Sequence, residues 1–439
     1  MILAHKNRNM KLTSPSNTAA LASLLFLASA QADDTVRFEK FNFTEPASKS
    51  IHFPLDQTDA DFLRQNSRSI SVSLPDDECS AKTDFAQIKT DLSAVGLYPP
   101  TYPEDDGFWD EFEVVVNAMK HLKTYQKNPC MTDPLPLVMP RVTDQWKGFS
   151  IVDVAEAVHD EFPGIYHTKM IESWLETGGL AFSNDAIPRL SQTAPDFNRG
   201  PIMLADMIGR GVRLVGPCNF CLKWEAGMPR PEEIGFKVDQ GTLAIPQKIS
   251  QEKAKFIKES LQEFEMQDPT DFSAYAEGSP THPSWPAMHS AAASASFWLD
   301  VVMDLTEEQL CEARMLDYSV SFARTVAGVH YEGDNYAGLM AGQSILAQRL
   351  PAVLADEYGS DPAKVQARID AKRYDWTTFE DSDCFKSERF KSVPAAKPAS
   401  CTDGGGNGGG GNGSGGNGGG GGGGGNKKPG KQNRLRRRY

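Results

Sequence analysis

The sequence predicts a mainly α-helical protein organised as a helical bundle. Apolar residues recur at three- and four-residue spacing in many segments after residue 150, which is the spacing of one helix face. Segments that alternate apolar and polar residues, as half-buried strands do, are scarce. With 439 residues, of which 40% are hydrophobic, the chain is long and apolar enough to bury a sizeable core.

The helical patterns divide the chain into two regions. Before residue 146 a single amphipathic segment stands out, residues 109–125, and the rest is rich in Asp, Pro and Ser. Further helices are predicted over residues 151–161, 167–175, 201–215, 250–267, 305–325 and 335–358. We therefore expect a helical catalytic domain at residues 146–400, preceded by an extension, residues 33–145, that packs on it.

Both ends of the chain differ from this body. Three basic residues precede an apolar run, residues 19–30, that ends in small residues. This arrangement is typical of a secretory signal peptide, here residues 1–32, and the run is too short to span a bilayer. Residues 401–426 are nearly all Gly and Asn, and a basic end follows them. We expect residues 401–439 to be a disordered linker with a basic tail, which either binds an acidic polymer or stays solvated without a partner.

Charge and cysteine content fit a secreted protein. The net charge is −13 although both ends are basic, so the body between them is more acidic still and should repel nucleic acid and anionic membranes. No later segment is long and apolar enough to span a membrane. The seven cysteines suggest disulfides, and their odd number leaves at least one as a thiol or bonded to another chain. For the lone Cys218-x-x-Cys221 pair a structural or disulfide role is favoured over a metal site.

Three separate segments carry residues suited to binding an anion. The first runs from Lys223 to Arg230-Pro231, where the prolines should break a helix at Arg230. The second, residues 281–289, contains His282 and ends at His289, where a helix should begin. Each of these features alone is typical of a solvated face or a structural histidine.

The third segment, residues 323–334, contains Arg324, Gly328, His330 and Asp334. His330 and Asp334 are four residues apart, so on a helix the carboxylate would orient the imidazole and raise the basicity of its outer nitrogen. On its own this pair too is compatible with a surface contact.

Read in order, the segments give Lys-x6-Arg-Pro, then Pro-x-x-His, then Arg-x3-Gly-x-His-x3-Asp. Over residues 200–350 this pattern resembles the three-part signature of the superfamily that unites vanadium-dependent haloperoxidases with type-2 phosphatidic acid phosphatases and related acid phosphatases. The resemblance implies a helical bundle of the same type.

The resemblance also implies a role for each residue of the pattern. Lys223, Arg230 and Arg324 would neutralise the oxygens of vanadate or phosphate, and the Met288 amide would donate to them. His330 would be the vanadium ligand, or the nucleophile in a phosphatase, with Asp334 holding it. His289 would be the general acid and base.

The chain departs from the family pattern beside two of these residues. The family usually has Ser-Gly before the second-segment histidine, whereas this chain has Ala287-Met288. The missing hydroxyl donor implies weaker anion binding, since a hydrogen bond to a charged group contributes about 1.5–3 kcal/mol. Ala323 likewise replaces a serine, and Ser290 is a candidate to compensate.

Two features favour the haloperoxidase branch. Thr281-His282-Pro283-Ser284 is similar to a segment of algal bromoperoxidases in which the histidine influences halide chemistry, and the spacer between Arg230 and His289 is long. The resemblance then implies a secreted enzyme that binds vanadate and uses hydrogen peroxide to oxidise bromide or iodide to hypohalite, with small organic substrates as acceptors. The alternatives are a secreted acid phosphatase with phosphate in the same pocket, and a catalytically degenerate matrix or binding protein. Related haloperoxidases often form oligomers.

Overall fold

The computed structural model is mainly helical in the residues it describes, which are 82–128, 181–188, 214–223, 225–275, 278–279 and 282–387 together with His167, Met170, Ile171, Ser173 and Trp174. The helices are α1 (Phe85–Ala94), α2 (Asp106–Lys127), α3 (Pro231–Asp239), α4 (Gln251–Gln262), α5 (Met288–Ala292), α6 (Ala295–Val302), α7 (Glu307–Val326), α8 (Glu332–Tyr358), α9 (Pro362–Lys372) and α10 (Asp383–Lys386). Residues 214–223 are also helical, and short 3-10 turns cover Pro269–Phe272 and Trp376–Asp381. In the described residues strand pairing is limited to an isolated bridge between Phe182 and Met303. The mainly α prediction is confirmed for this part of the chain.

Helix α8 lies at the centre of the bundle. It contacts α1, α2, α5, α6, α7 and α9. Most of its residues between Asp334 and Leu350 are buried, so this half of the helix has no solvent-facing side. A helix that is buried around its whole circumference needs neighbours on every side, and the bundle provides those neighbours.

Small residues let α5 approach α8 closely. A Cβ atom added at Gly338 would lie 2.5 Å from the carbonyl oxygen of Ala287 and 2.7 Å from the Cβ atom of Ser290. Ser294, four residues after Ser290, donates its hydroxyl proton to the carbonyl of Leu339 in α8 at 3.0 Å. The packing at Gly338 therefore fixes where the segment before α5 meets the first turns of α8.

A tight turn joins α7 to α8. Helix α7 begins with a reciprocal cap between Thr306 and Gln309 and ends at Val326. Gly328 then adopts a positive φ of 74°, a backbone conformation that residues with a side chain disfavour. The turn is short enough to bring the last turn of α7, with Arg324, next to the start of α8.

Several predicted helices match the structure in position, with shifted ends. The prediction for residues 109–125 is confirmed by α2, and those for 305–325 and 335–358 by α7 and α8, which starts three residues earlier than expected. The prediction for 250–267 was wrong at its end, because α4 stops at Gln262 and Glu265 takes a positive φ of 52°. The segment 151–161 and most of 167–175 and 201–215 lie outside the described residues.

The cysteines form a disulfide between distant helices. Cys311 of α7 is bonded to Cys384 of α10, with 73 residues between them in sequence. Cys218 is disulfide-bonded as well, whereas Cys221 is a thiol. The Cys218-x-x-Cys221 pair is therefore not bonded to itself.

The remaining sequence predictions on organisation fall outside the described residues. These are the signal peptide at residues 1–32, the boundary at 145–146 and the tail at 401–439. Among the helices that are described, none has the length and apolarity needed to cross a membrane.

Candidate anion-binding site

Lys223 and Arg230 bind the same stretch of backbone, residues 282–284. Lys223 lies among the helical residues 214–223, and its Nζ donates to the carbonyls of Pro283 at 2.9 Å and Ser284 at 2.7 Å. Arg230 lies at a helix break, as the sequence predicted, and is the N-cap residue of α3. Its Nε donates to the carbonyl of His282 at 3.0 Å. Both cations are buried and held against one segment.

Arg230 also contacts two histidines. Its Nη1 lies 2.8 Å from Nε2 of His330, and its Nη2 lies 3.0 Å from Nδ1 of His282. A guanidinium can only donate, so Nε2 of His330 accepts and the ring proton resides on Nδ1. Burial, reinforced by the charges of Arg230 and Lys223, holds the pKa of His330 well below its ordinary value. The imidazole is therefore neutral, with its Nε2 lone pair directed toward the cations.

Asp334 holds the other side of this ring. Its Oδ2 lies 3.0 Å from Nδ1 of His330 and also accepts the backbone N–H of Tyr331 at 3.1 Å. The sequence interpretation placed the pair on one helix, and this was wrong. His330 precedes α8, for which Tyr331 is the N-cap, while Asp334 lies in the first helical turn. The capping carboxylate reaches back to the imidazole, so the expected contact forms through a helix cap.

Arg324 is the third buried cation. It lies in the last turn of α7, and its Nη1 donates to the hydroxyl of Tyr275 at 2.8 Å. Its Nε is buried and has no hydrogen-bond partner within the described structure. Arg324 is close enough to Lys223 for its charge to contribute, after burial and Arg230, to the lowered pKa of the lysine. It therefore belongs to the same cationic cluster.

His282 and His289 flank the cluster. Burial, followed by the charges of Lys223 and Arg230, holds the pKa of His282 well below its ordinary value. The charge of His289 acts in the same direction and is the smallest of these contributions, so the two side chains interact electrostatically. His289 is half-buried in the first turn of α5, which starts at Met288, one residue before the predicted start at His289. It is thus more accessible than His330, which is 1% exposed.

Met288 and Ser290, on either side of His289, contact other parts of the protein. Met288 is the first residue of α5, and its sulfur lies 3.6 Å from the side-chain nitrogen of Asn219. Ser290, considered as a substitute donor, gives its proton to Oδ1 of Asn335 at 3.0 Å. That expectation was wrong, because Ser290 lies in the close contact between α5 and α8 and its hydroxyl joins the two helices.

The cluster carries an excess of buried positive charge. Three cations surround the neutral His330. The carboxylate hydrogen-bonded to this histidine belongs to Asp334, and burial raises the pKa of Asp334 to about 6. Glu232 is also buried, and both of its oxygens accept the amide of Ser279, at 3.0 and 2.8 Å. Desolvation makes buried like charges costly unless a counter-charge joins them. The arrangement therefore suits an anion and would repel a bare metal cation.

Sequence reasoning missed three residues of this site. Ser284 contacts both His330 and Asp334, Tyr275 binds Arg324, and Glu111 of α2 accepts the backbone N–H of Gly333 at 3.0 Å. For Ser284 a signal existed, since it belongs to the same segment as His282. Tyr275 and Glu111 have no signature in the sequence, because their contacts join segments far apart in the chain.

Glu111 should make stability depend on pH. Burial, followed by the charge of Asp334, raises the pKa of Glu111 to about 7 from 4.5. A carboxyl group that binds its proton more tightly when folded loses stabilisation as pH rises between those two values. We expect Glu111→Gln to stabilise the protein by about 2 kcal/mol above pH 7 and to have no effect below about pH 4. Urea unfolding at both pH values would measure this difference.

The matched control for this prediction is Glu113→Gln on the same helix. Glu113 lies 3.4 Å from Lys253, and its side chain is 38% exposed. Its removal should change stability by no more than about 0.5 kcal/mol at either pH. Equal effects of Glu111→Gln at both pH values would contradict the assignment.

Comparison with protein-family models gives no match to this chain, and comparison with the curated proteins gives none either.

Proposed function

We propose that this protein is a vanadium-dependent haloperoxidase, with the helical-bundle fold of that superfamily, which uses hydrogen peroxide to oxidise bromide or iodide to hypohalite. The observation that carries the proposal is the cluster of Lys223, Arg230 and Arg324 around the neutral His330. Such a cluster suits a compact, highly charged oxyanion, because several fixed donors are needed to satisfy its oxygens.

The chemistry of the donor set fits vanadate. Arg324 has a buried Nε with no partner, and His330 presents an Nε2 lone pair whose contact with Arg230 an anion can replace. Lys223, Arg230 and Arg324 would hold the oxygens, and His330 would hold the central atom. Bound vanadate supplies a Lewis acid that activates peroxide without a change in its own oxidation state.

The protein's own groups then handle protons and halide. Asp334 keeps the proton of His330 on Nδ1, so Nε2 stays available. His289, half-buried beside His282, is the candidate for accepting a proton from peroxide and returning it to the product. His282 is hydrogen-bonded to Arg230, and the resemblance of its segment to algal bromoperoxidases supports a role for it in halide chemistry.

The same geometry also suits a phosphatase. A neutral imidazole held by a carboxylate is a competent nucleophile toward phosphorus, and His289 would then protonate the leaving alcohol. The specific observation in favour of this alternative is the His330–Asp334 pair at 3.0 Å. A third candidate, a catalytically inactive binding or matrix protein, rests on Ala287-Met288.

Two assays on the purified protein separate these candidates. Orthovanadate, hydrogen peroxide and bromide in a monochlorodimedone assay test haloperoxidase activity, and p-nitrophenyl phosphate tests phosphatase activity. Vanadium bound after dialysis is measured on the same sample. We expect halogenation that requires vanadate. Phosphatase activity alone would favour the alternative, and neither activity with vanadium bound would favour the binding protein.

The remaining parts of the proposal concern the setting of the enzyme. We propose secretion through residues 1–32, with peroxide, halide and small organic molecules as reactants. The basic tail at residues 401–439 would attach the enzyme to an acidic polymer outside the cell. Because related haloperoxidases often form oligomers, we propose that this protein forms one as well.

A further inference from the structure

Ser284 lies between the cations and the histidine. Its carbonyl accepts Nζ of Lys223 at 2.7 Å, and its backbone N–H donates to the carbonyl of Met228 at 2.8 Å. Its hydroxyl lies 3.3 Å from Nδ1 of His330 and makes a short hydrogen bond to Oδ2 of Asp334. One fully buried residue thus touches both parts of the site.

The direction of these hydrogen bonds can be worked out. A serine hydroxyl has a single proton, and the short contact gives it to Asp334. Toward His330 the same oxygen can only accept, so it shares the Nδ1 proton with Asp334. Oδ2 of Asp334 accepts from Ser284, from His330 and from the amide of Tyr331. These three donors fix the orientation of the carboxylate.

We propose that Ser284 is a positioning residue, which locks the Asp334 carboxylate against His330 and ties this pair to Lys223 through the backbone. It does not replace the serine donor that the family pattern has before the second-segment histidine, because its proton is already used. The inference rests on the proposed function in one respect, which is that the positioning serves to hold Nε2 of His330 toward the anion. The hydrogen-bond network itself consists of protein groups alone.

The test measures the ring proton on Nδ1 of His330 by NMR in the full chain without added anion. The resonance is assigned by its loss in His330→Gln. In the wild type and in Ser284→Thr, which keeps the hydroxyl, we expect slow exchange with solvent. In Ser284→Ala the exchange should be at least about tenfold faster, as the loss of one hydrogen bond to a charged group implies.

Two further variants keep the test decisive. Ser294→Ala is the matched control, because Ser294, the N-cap residue of α6, is also a buried serine but donates to the carbonyl of Leu339 and not to the site. It should leave the exchange rate unchanged. If Ser284→Ala does not fold, Ser284→Cys preserves the volume with only a weak donor and should also exchange faster. Slow exchange in the folded alanine or cysteine variant would overturn the proposal.

The outcome is independent of whether the site binds vanadate. Orthovanadate and phosphate binding to the wild type are measured on the same samples by calorimetry. If neither anion binds while Ser284→Ala still speeds proton exchange, the proposed function fails and the positioning role remains. If vanadate binds and the exchange rate is unchanged in Ser284→Ala, the positioning role fails and the proposed function remains.

Discussion

Replacing His330 with alanine is expected to abolish turnover, with a loss of at least about a thousandfold in kcat whichever of the two reactions the site performs. In either proposed reaction Nε2 of His330 would be the protein atom bonded to the central atom of the anion. Its neighbours Arg230 and Asp334 cannot replace it, because one only donates and the other is bonded to the opposite side of the ring. Steady-state rates with bromide and with p-nitrophenyl phosphate measure the effect.

A second histidine provides the control for this experiment. His121 is half-buried on α2, and none of the site contacts described above involves it. His121→Ala should keep the wild-type rate. Wild-type turnover in His330→Ala, with folding checked by circular dichroism, would remove His330 from the mechanism.

Replacing Arg324 with methionine should have opposite effects on stability and on binding. Arg324 is fully buried, repels two nearby cations and has an unpartnered Nε. Methionine fills a similar volume without charge, and exchanging a poorly compensated buried charge for an apolar side chain commonly stabilises by about 1–3 kcal/mol. The same change removes a charged donor from the anion and should weaken its binding about a hundredfold. Urea unfolding without anion and calorimetry with orthovanadate measure the two effects.

The control for this experiment is an arginine that has partners for its donors. Arg368 of α9 donates to the carbonyls of Val301, Asp300 and Met303. Arg368→Met should therefore destabilise the protein and leave anion affinity unchanged. Unchanged orthovanadate affinity in Arg324→Met would show that its charge is not part of an anion site. A loss of stability would contradict the poor compensation of its charge.

Helices with a clear apolar period could be predicted from the sequence. The pattern in residues 109–125 predicts α2 because its buried residues, such as Phe112 and Val116, repeat at helical spacing. The end of α4 could not be predicted in this way. Phe264 continues the apolar face, yet the chain turns at Glu263 and starts a new capped turn at Asp268.

The site was predictable only in part for a related reason. The order of the three segments in the sequence indicates which residues form the site. No apolar period and no feature of the composition indicates that Nη1 of Arg230 lies 2.8 Å from Nε2 of His330. The spacing of His330 and Asp334 predicted their contact. It suggested that both residues lie on one helix, whereas His330 precedes α8 and Asp334 lies in its first turn. Ser284 and Tyr275 depend on how separate segments fold together, which local patterns do not report.

The lack of space for a side chain at Gly338 restricts which substitutions this protein can accept. Any larger side chain there would collide with the carbonyl of Ala287 and with Ser290. The displaced segment is the one that carries Ser284 and leads into His289. A residue that touches no reactant should therefore be nearly as intolerant of substitution as those that do, and lineages that change the chemistry should change its neighbours first.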